Sequence, residues 1–202
     1  MFVTLVVEGT SDLPVARRVA QAAGVEPAVA YSRGGKAAID IKLAAYNKAA
    51  ARQAWFVLRD LDHDELCAGT LVGNLLPQPA AGMCFRLAVR EVEAWLLADR
   101  DRIAAYLGVS PARVPRDPDS LDDPKKTLVD LGRRSRRRDV RHDMVPPDGS
   151  TARVGPGYRA RVTEFSSSVW RPDVAATASP SLFRCLAALK RLKGRSFPTR
   201  SR

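Results

Sequence analysis

The stretch FVTLVVEGTSDLPVARRVAQAAG, Phe2–Gly24, decides the fold. Its first six residues form an apolar, β-branched run, which is typical of a buried parallel strand. Glu8 and Gly9 end that run, and Ser11 or Asp12 then caps a helix that carries a proline in its first turn. A buried strand followed at once by a helix is the start of a βαβ unit, which predicts a parallel sheet.

The same order of elements continues along the chain to Gly108. Further strands are predicted over PAVAYS, QAWFVLRD and GMCFRLAV, and helices over residues 36–51, 65–76 and, as one helix or two, 90–108. This alternation predicts an α/β domain over residues 1–108, with a Rossmann-like, mostly parallel four-stranded sheet flanked by helices. Residues 109–202 are predicted to form a basic, mainly helical extension packed on it, with helices near 125–134, 158–169 and 180–193.

The composition indicates a partner of opposite charge. Lysine and arginine number 33 against 22 aspartates and glutamates, so the formal net charge is +11. Such an excess attracts polyanions, and nucleic acid (DNA or RNA) is the first candidate partner.

No stretch reaches the roughly 18 apolar residues of a bilayer span, and the first residues lack the features of a secretory signal. Three widely spaced cysteines fit neither a zinc site nor a disulfide framework. The sequence therefore predicts a cytoplasmic protein without a membrane partner.

Acidic residues follow three of the predicted strands. Glu8 closes the first, Asp60 and Asp62 the third, and Glu91 and Glu93 follow the fourth. Ligands of open parallel sheets bind outside the carboxyl ends of the strands. In an extended chain, residues two apart point to one side, and a divalent cation relieves the repulsion between two such carboxylates. The pattern therefore predicts a Mg²⁺ or Mn²⁺ site at this edge.

Each acidic residue also has a structural alternative. The pair in RDLDHD fits a solvated acidic turn that caps a helix beginning near Glu65. Asp12 fits a helix N-cap. On one helix Glu91 and Glu93 lie about 200° apart and cannot face one point, so both reach the site only if Glu91 is still extended.

The segments VVEGTSD (Val6–Asp12) and FVLRDLDHD (Phe56–Asp64) together resemble the Toprim domain of topoisomerases, bacterial primases, small maturation nucleases and overcoming-lysogenization-defect nucleases. With REVEAWLLAD (Arg90–Asp99), DPKKTL, GYRARVTE and SPSLFRCLAALKRL, the chain resembles a group of bacterial Toprim-like proteins of unknown function. The resemblance implies a compact four-stranded parallel sheet flanked by helices. It also implies that Glu8, Asp60 and Asp62 are catalytic, with Glu8 as metal ligand or acid/base and Asp60 and Asp62 as Mg²⁺ ligands. Asp12 is implied as a further candidate ligand, and Glu91 and Glu93 as candidate ligands of a second metal.

The preferred hypothesis is a Mg²⁺-dependent nuclease or related phosphodiester-transfer enzyme, with a role in phage defence or DNA repair. Basic side chains would hold the nucleic-acid backbone, and the candidates are Lys36, Arg90, Arg133, Arg134, Arg136, Arg137 and Arg138. The arginine-rich run RRSRRRDVR fits a solvated, mobile face equally well.

Two other functions compete with this hypothesis. One is a non-catalytic subunit that binds nucleic acid or a partner, working with an ATPase or another defence-system protein. The other is a small phosphotransfer domain that uses the D-x-D pair as a phosphatase does. The Glu-Gly after the first strand disfavours the latter, since a nucleophilic aspartate is expected there.

Overall fold

The computed structural model describes residues 1–195. The strands are β1 (Phe2–Val7), β2 (Glu26–Ser32), β3 (Trp55–Asp60) and β4 (Met83–Ala88). The helices are α1 (Asp12–Ala22), α2 (Lys36–Ala50), α3 (Ala68–Leu75), α4 (Val92–Ala98), α5 (Arg100–Leu107), α6 (Pro124–Arg133), α7 (Arg138–Met144), α8 (Tyr158–Glu164), α9 (Pro172–Ala175) and α10 (Pro180–Lys193). Short 3-10 turns lie at Pro111–Arg113 and Pro118–Ser120, and a π turn lies at Phe165–Val169.

The four strands form one sheet in the order β2-β1-β3-β4, and every neighbouring pair is parallel. Leu5 pairs with Ala30 on one side and with Phe56 on the other, so β1 lies inside the sheet. The predicted α/β fold with helices flanking the sheet is confirmed. Because all strands run the same way, their carboxyl ends meet at a single edge of the sheet.

Alternate residues of β1 supply two separate cores. Val3, Leu5 and Val7 face the larger core, while Val6 faces a smaller one formed with α2. The larger core contains residues of α1, α4, α6, α8 and α10, so the C-terminal helices share their apolar interior with the sheet. Trp170 lies wholly inside it, and its indole N–H donates to the carbonyl of residue 95 at 3.1 Å. Within residues 1–195, no helix is long and apolar enough to cross a bilayer.

Some element boundaries differ from the predictions. The helix predicted to begin at residue 65 begins at Ala68, because the backbone of Cys67 before it is extended, with φ of −118° and ψ of 118°. Asp64 is engaged in ion pairs with Lys36 and Arg59. The segment after β4 is two helices. They meet at Asp99, whose fully buried carboxylate accepts three hydrogen bonds from the backbone and guanidinium of Arg171. This ion pair, buried on the Asp99 side and partly exposed on the Arg171 side, fixes α4 against the C-terminal helices.

The packing of α6 depends on a glycine. A Cβ atom on Gly132 would lie 2.7 Å from the Cβ of Met144 in α7. Since neither atom moves without its backbone, Gly132→Ala is expected to lower the free energy of unfolding by about 1–3 kcal/mol. Gly73→Ala, in a helix position with open space around it, is the control and should be neutral or stabilising by up to about 1 kcal/mol. Urea unfolding of both variants measures the difference; equal effects would contradict this packing.

Candidate functional site

The carboxyl edge of the sheet joins the ends of β1 and β3. Glu8 follows β1, and its Oε1 accepts a hydrogen bond from the backbone N–H of Asp60 at 2.7 Å. The carbonyl oxygen of Glu8 accepts N–H groups from Gly34 and Gly35, at 2.8 and 3.2 Å. Both glycines have positive φ angles, +78° and +119°, which side chains disfavour. Glu8 is therefore held at the sheet edge by both its main chain and its side chain.

Asp60 lies at the centre of the acidic residues. Its Oδ1 accepts the backbone N–H of Val92, the first residue of α4, at 3.0 Å. Burial raises the pKa of Asp60 well above its usual range, and the negative charges of Glu93, Asp12 and Glu8 raise it further. These carboxylates are therefore close enough to repel one another, and a positive charge placed among them would be strongly favoured.

Asp12 is the first residue of α1 and does not cap it. Its Oδ2 turns back to accept the N–H of Gly9 at 2.8 Å, and its Oδ1 accepts the hydroxyl of Ser11 at 3.1 Å. Burial raises the pKa of Asp12 although both hydrogen bonds lower it, and burial likewise raises the pKa of Glu8. Asp12 thus fixes the loop after β1 and adds a carboxylate to the site.

Glu91 and Glu93 reach the same point because Glu91 is not helical. Its φ of −137° and ψ of 159° are extended, and α4 begins one residue later. The side-chain oxygens of both residues approach the Nζ of Lys125, at 3.1 and 3.6 Å. Burial and the neighbouring Glu91 raise the pKa of Glu93, while Lys125 lowers it.

Two residues of the site did not emerge from the sequence. Lys125, in the first turn of α6, brings an ammonium among the carboxylates; burial disfavours that charge, but Glu93 and Glu91 outweigh burial and raise its pKa. Tyr158, at the start of α8, donates its hydroxyl to Glu93 Oε1 at 2.8 Å. Both lie in segments, DPKKTL and GYRARVTE, that carry the family resemblance. Nothing in DPKKTL alone distinguishes Lys125 from the exposed Lys126.

Asp62 departs from the prediction that it lies beside Asp60. The strand ends at Asp60, and Asp62 adopts a left-handed conformation with φ of 47°. This conformation breaks the two-residue repeat, so its carboxylate pairs with Lys36 at 2.7 Å instead. The predicted arrangement of two neighbouring carboxylates on one side of an extended chain is therefore wrong.

The two predicted phosphate contacts nearest the site already have partners. Lys36 bridges Asp62 and Asp64, and these bonds raise its pKa although burial lowers it. Arg90 donates from Nη1 to the carbonyl oxygen of Asp62 at 2.7 Å, which holds the loop after β3 in place.

The arginine run lies away from the acidic residues. Lys125 is near the start of α6 and Arg133 ends it, which separates them by about 12 Å along the helix axis. Arg133 pairs with Asp130, and Arg137 with Asp139. The side chains of the run that lie exposed are Arg133, Arg134, Arg136, Arg137 and Arg138. The run therefore contributes a basic surface beyond the site.

Two grooves flank the acidic residues. One, of about 660 Å³, is lined by Glu93, Lys125, Tyr158 and Arg159; the other, of about 400 Å³, is lined by Asp62, Arg90, Glu91 and Arg153 among others. Lys125 lines the larger of the two grooves.

The donor set suits a hard divalent cation, which prefers carboxylate oxygens. Glu93 Oε2 is buried and, within residues 1–195, has no hydrogen-bond partner. In the same residues, no three Asp, Glu, His or Cys side chains are arranged to hold an ion as they stand. The ammonium of Lys125 instead contacts Glu91 and Glu93.

Comparison of the chain with protein-family models, with curated proteins and with solved structures gave no match. Any functional conclusion therefore rests on the side chains of this chain and their contacts.

Proposed function

We propose that this protein is a Mg²⁺- or Mn²⁺-dependent nuclease or related phosphodiester-transfer enzyme, of the Toprim type, acting in phage defence or DNA repair. The observation that carries the proposal is the gathering of carboxylates from three strand ends at one edge of the sheet. These residues are Glu8, Asp12, Asp60, Glu91 and Glu93. Four of them, Glu8, Asp12, Asp60 and Glu93, have pKa values that burial raises, and such perturbed groups are typical of functional sites.

Under this proposal Glu8, Asp60 and Glu93 hold the ion, and Asp62 joins them only by leaving Lys36. When bound, the ion would stabilise charge on the phosphoryl oxygens and favour ionisation of water. Burial raises the pKa of Glu8, and Glu8 would serve either as a ligand of the ion or as a proton acceptor, since a carboxylate that binds the ion loses its basicity.

Lys125 and Tyr158 would complete the site. The ammonium of Lys125, now bonded to Glu91 Oε1, would turn to the phosphate that enters the groove. Tyr158 keeps Glu93 oriented through its 2.8 Å hydrogen bond. The chain's net charge of +11 would draw the polyanion toward this acidic edge.

Cleavage assays test the proposal. Wild-type protein with Mg²⁺ or Mn²⁺ is expected to cut labelled DNA or RNA, and Glu8→Gln is expected to reduce the rate by about 100-fold. Glutamine still accepts the Asp60 N–H, so the fold is preserved. Glu26→Gln, an exposed acid at the opposite end of the sheet, should leave the rate unchanged. Cleavage that persists in chelator, or in Glu8→Gln, would refute the proposed site.

A second function is favoured by one specific observation. Lys125 already neutralises part of the acidic site through Glu91 and Glu93, as expected of a metal-free, non-catalytic subunit. Such a subunit would bind nucleic acid for an ATPase or another defence-system protein. Binding of DNA or RNA that weakens steeply with salt, without cleavage in any divalent cation, would establish this alternative over the enzyme.

A further inference from the structure

Three arginines line one small pocket at the other end of the sheet. Arg86 belongs to β4, while Arg191 and Arg195 lie at the C-terminal end of α10. The pocket measures about 170 Å³, and its remaining lining comes from residues 79–81, Met83, Cys84, Ala188 and Leu192. No acidic residue lines it within the part of the chain that the structure describes.

Arg86 is directed at α10 by the alternation of β4. Cys84 and Ala88, two residues to either side of it, both belong to the larger core that contains α10. The Nε atom of Arg86 is buried and has no hydrogen-bond partner among residues 1–195. Arg86 as a whole is half-buried, and a buried N–H donor such as its Nε is costly unless a hydrogen-bond acceptor compensates it.

The surroundings supply little negative charge. Burial raises the pKa of the Cys84 thiol to about 11, although Arg86 and Arg191 lower it, so at pH 7 the thiol is neutral. The sequence contains no Asp or Glu after Asp173. The dipole of α10 offers about half a negative charge at its C-terminus, against three guanidinium groups.

Arg195 is already fixed at the rim of the pocket. Its Nη1 donates to the carbonyl oxygen of Ala81 at 2.8 Å, and within residues 1–195 its guanidinium makes no other hydrogen bond. Guanidinium groups match phosphoryl oxygens through paired N–H donors. The pocket is several times larger than the roughly 30 Å³ that a water molecule occupies in the liquid.

We propose that Arg86, Arg191 and Arg195 form a second anion site, which binds a phosphoryl group between β4 and the end of α10. This site is distinct from the acidic residues, because its lining extends from Arg86 toward the start of β4, whereas the acids lie beyond Ala88, which is itself about 7 Å along the strand from Arg86. Its phosphate is therefore not the one that the proposed enzyme cleaves. The phosphate comes either from the backbone of bound nucleic acid or from a free phosphate compound.

Calorimetric titration with inorganic phosphate tests the site, with ionic strength held constant by chloride. Wild-type protein is expected to bind one phosphate saturably, and Arg191→Ala/Arg195→Ala to bind it at least about tenfold more weakly. Arg184→Ala/Lys190→Ala is the matched control, since it removes the same two positive charges from exposed positions of α10 outside the pocket. No saturable binding, or equal binding by the double variant and wild type, would overturn the proposal.

Two further arms identify the source of the phosphate and the role of Arg86. Competition by a short oligonucleotide against inorganic phosphate assigns the site to nucleic acid, whereas competition only by mononucleotides assigns it to a free compound.

Arg86→Lys keeps the positive charge but loses the paired N–H donors of the guanidinium. It is expected to weaken phosphate binding, while circular dichroism shows that the protein stays folded. Undiminished binding in folded Arg86→Lys would exclude Arg86 from the site. Glu8→Gln should bind phosphate like wild type, so failure here and failure of the nuclease proposal are distinguishable.

Discussion

Asp60→Asn is expected to lower metal-dependent cleavage by about a thousandfold while leaving the protein at least as stable at pH 7. The loss follows because one carboxylate of an ion site contributes several kcal/mol to transition-state stabilisation. The fold survives because asparagine still accepts the Val92 N–H that Asp60 binds at 3.0 Å. Removing the charge also relieves repulsion from Glu93, Asp12 and Glu8.

The matched control is Asp62→Asn. Asp62 is about a third exposed and pairs with Lys36, so its replacement is expected to reduce the rate by less than about tenfold. Steady-state cleavage by both variants, at saturating Mg²⁺, gives the comparison. Equal losses would show that Asp62 leaves Lys36 to join the site, and an active Asp60→Asn would refute the role of Asp60.

The same variant should change how stability depends on pH. The pKa of Asp60 is raised in the folded state, so the folded protein binds its proton more tightly than the unfolded chain does. Its contribution to stability is therefore present below the unfolded pKa, near 3.9, and is lost as the pH rises through the folded pKa. Asp60→Asn should lose less stability across this range. Denaturation at a series of pH values measures the difference.

Lys125→Met is expected to lower the free energy of unfolding by about 2 kcal/mol at pH 7 in the absence of divalent cations. The side chain of Lys125 is 28% exposed and that of its partner Glu93 is 4% exposed. The expected loss is therefore smaller than the roughly 3–5 kcal/mol typical of breaking a fully buried ion pair. Methionine preserves the apolar part of the lysine side chain, so the change in stability measures the loss of the positive charge. Chemical denaturation measures the loss.

Two conditions should rescue Lys125→Met. Lowering the pH lets Glu93, whose pKa is already raised by burial, take up a proton, so the deficit should shrink on acidification. Added Mg²⁺ should restore stability if the carboxylates hold an ion. Lys126→Met, which removes a 70% exposed ammonium paired with Asp130, should cost less than about 0.5 kcal/mol. Equal effects at both lysines, or no rescue by either acid or Mg²⁺, would contradict the assigned role of Lys125.

Most of the fold was accessible from the sequence because its signals are local. An apolar run such as FVTLVV identifies a buried strand, and α10 was predicted over Pro180–Lys193, its actual range. Element boundaries were predicted less well. The backbone of Cys67 is extended, so α3 begins later than its sequence suggests.

The candidate site could be predicted only in part from the sequence, because distant contacts complete it. Carboxyl ends of parallel strands meet at one edge, so Glu8 and Asp60 could be placed near each other without coordinates. Lys125 reaches this edge only because α6 packs against α4, and no local pattern shows that contact. The left-handed backbone of Asp62 also lies outside any periodic pattern.

The contacts of Lys125 with Glu91 and Glu93 allow folding to precede the binding of an ion. Many small metal-binding domains stay unfolded until their ion binds, because without it the negative charges of the ligands repel one another. Here the chain carries its own cation into the acidic edge. Folding can therefore finish first, and an ion, under the proposed function, enters a completed site by displacing a side chain. Under the proposed function, newly synthesised protein would reach its native state before it meets the metal, and the arrival of the ion would activate it.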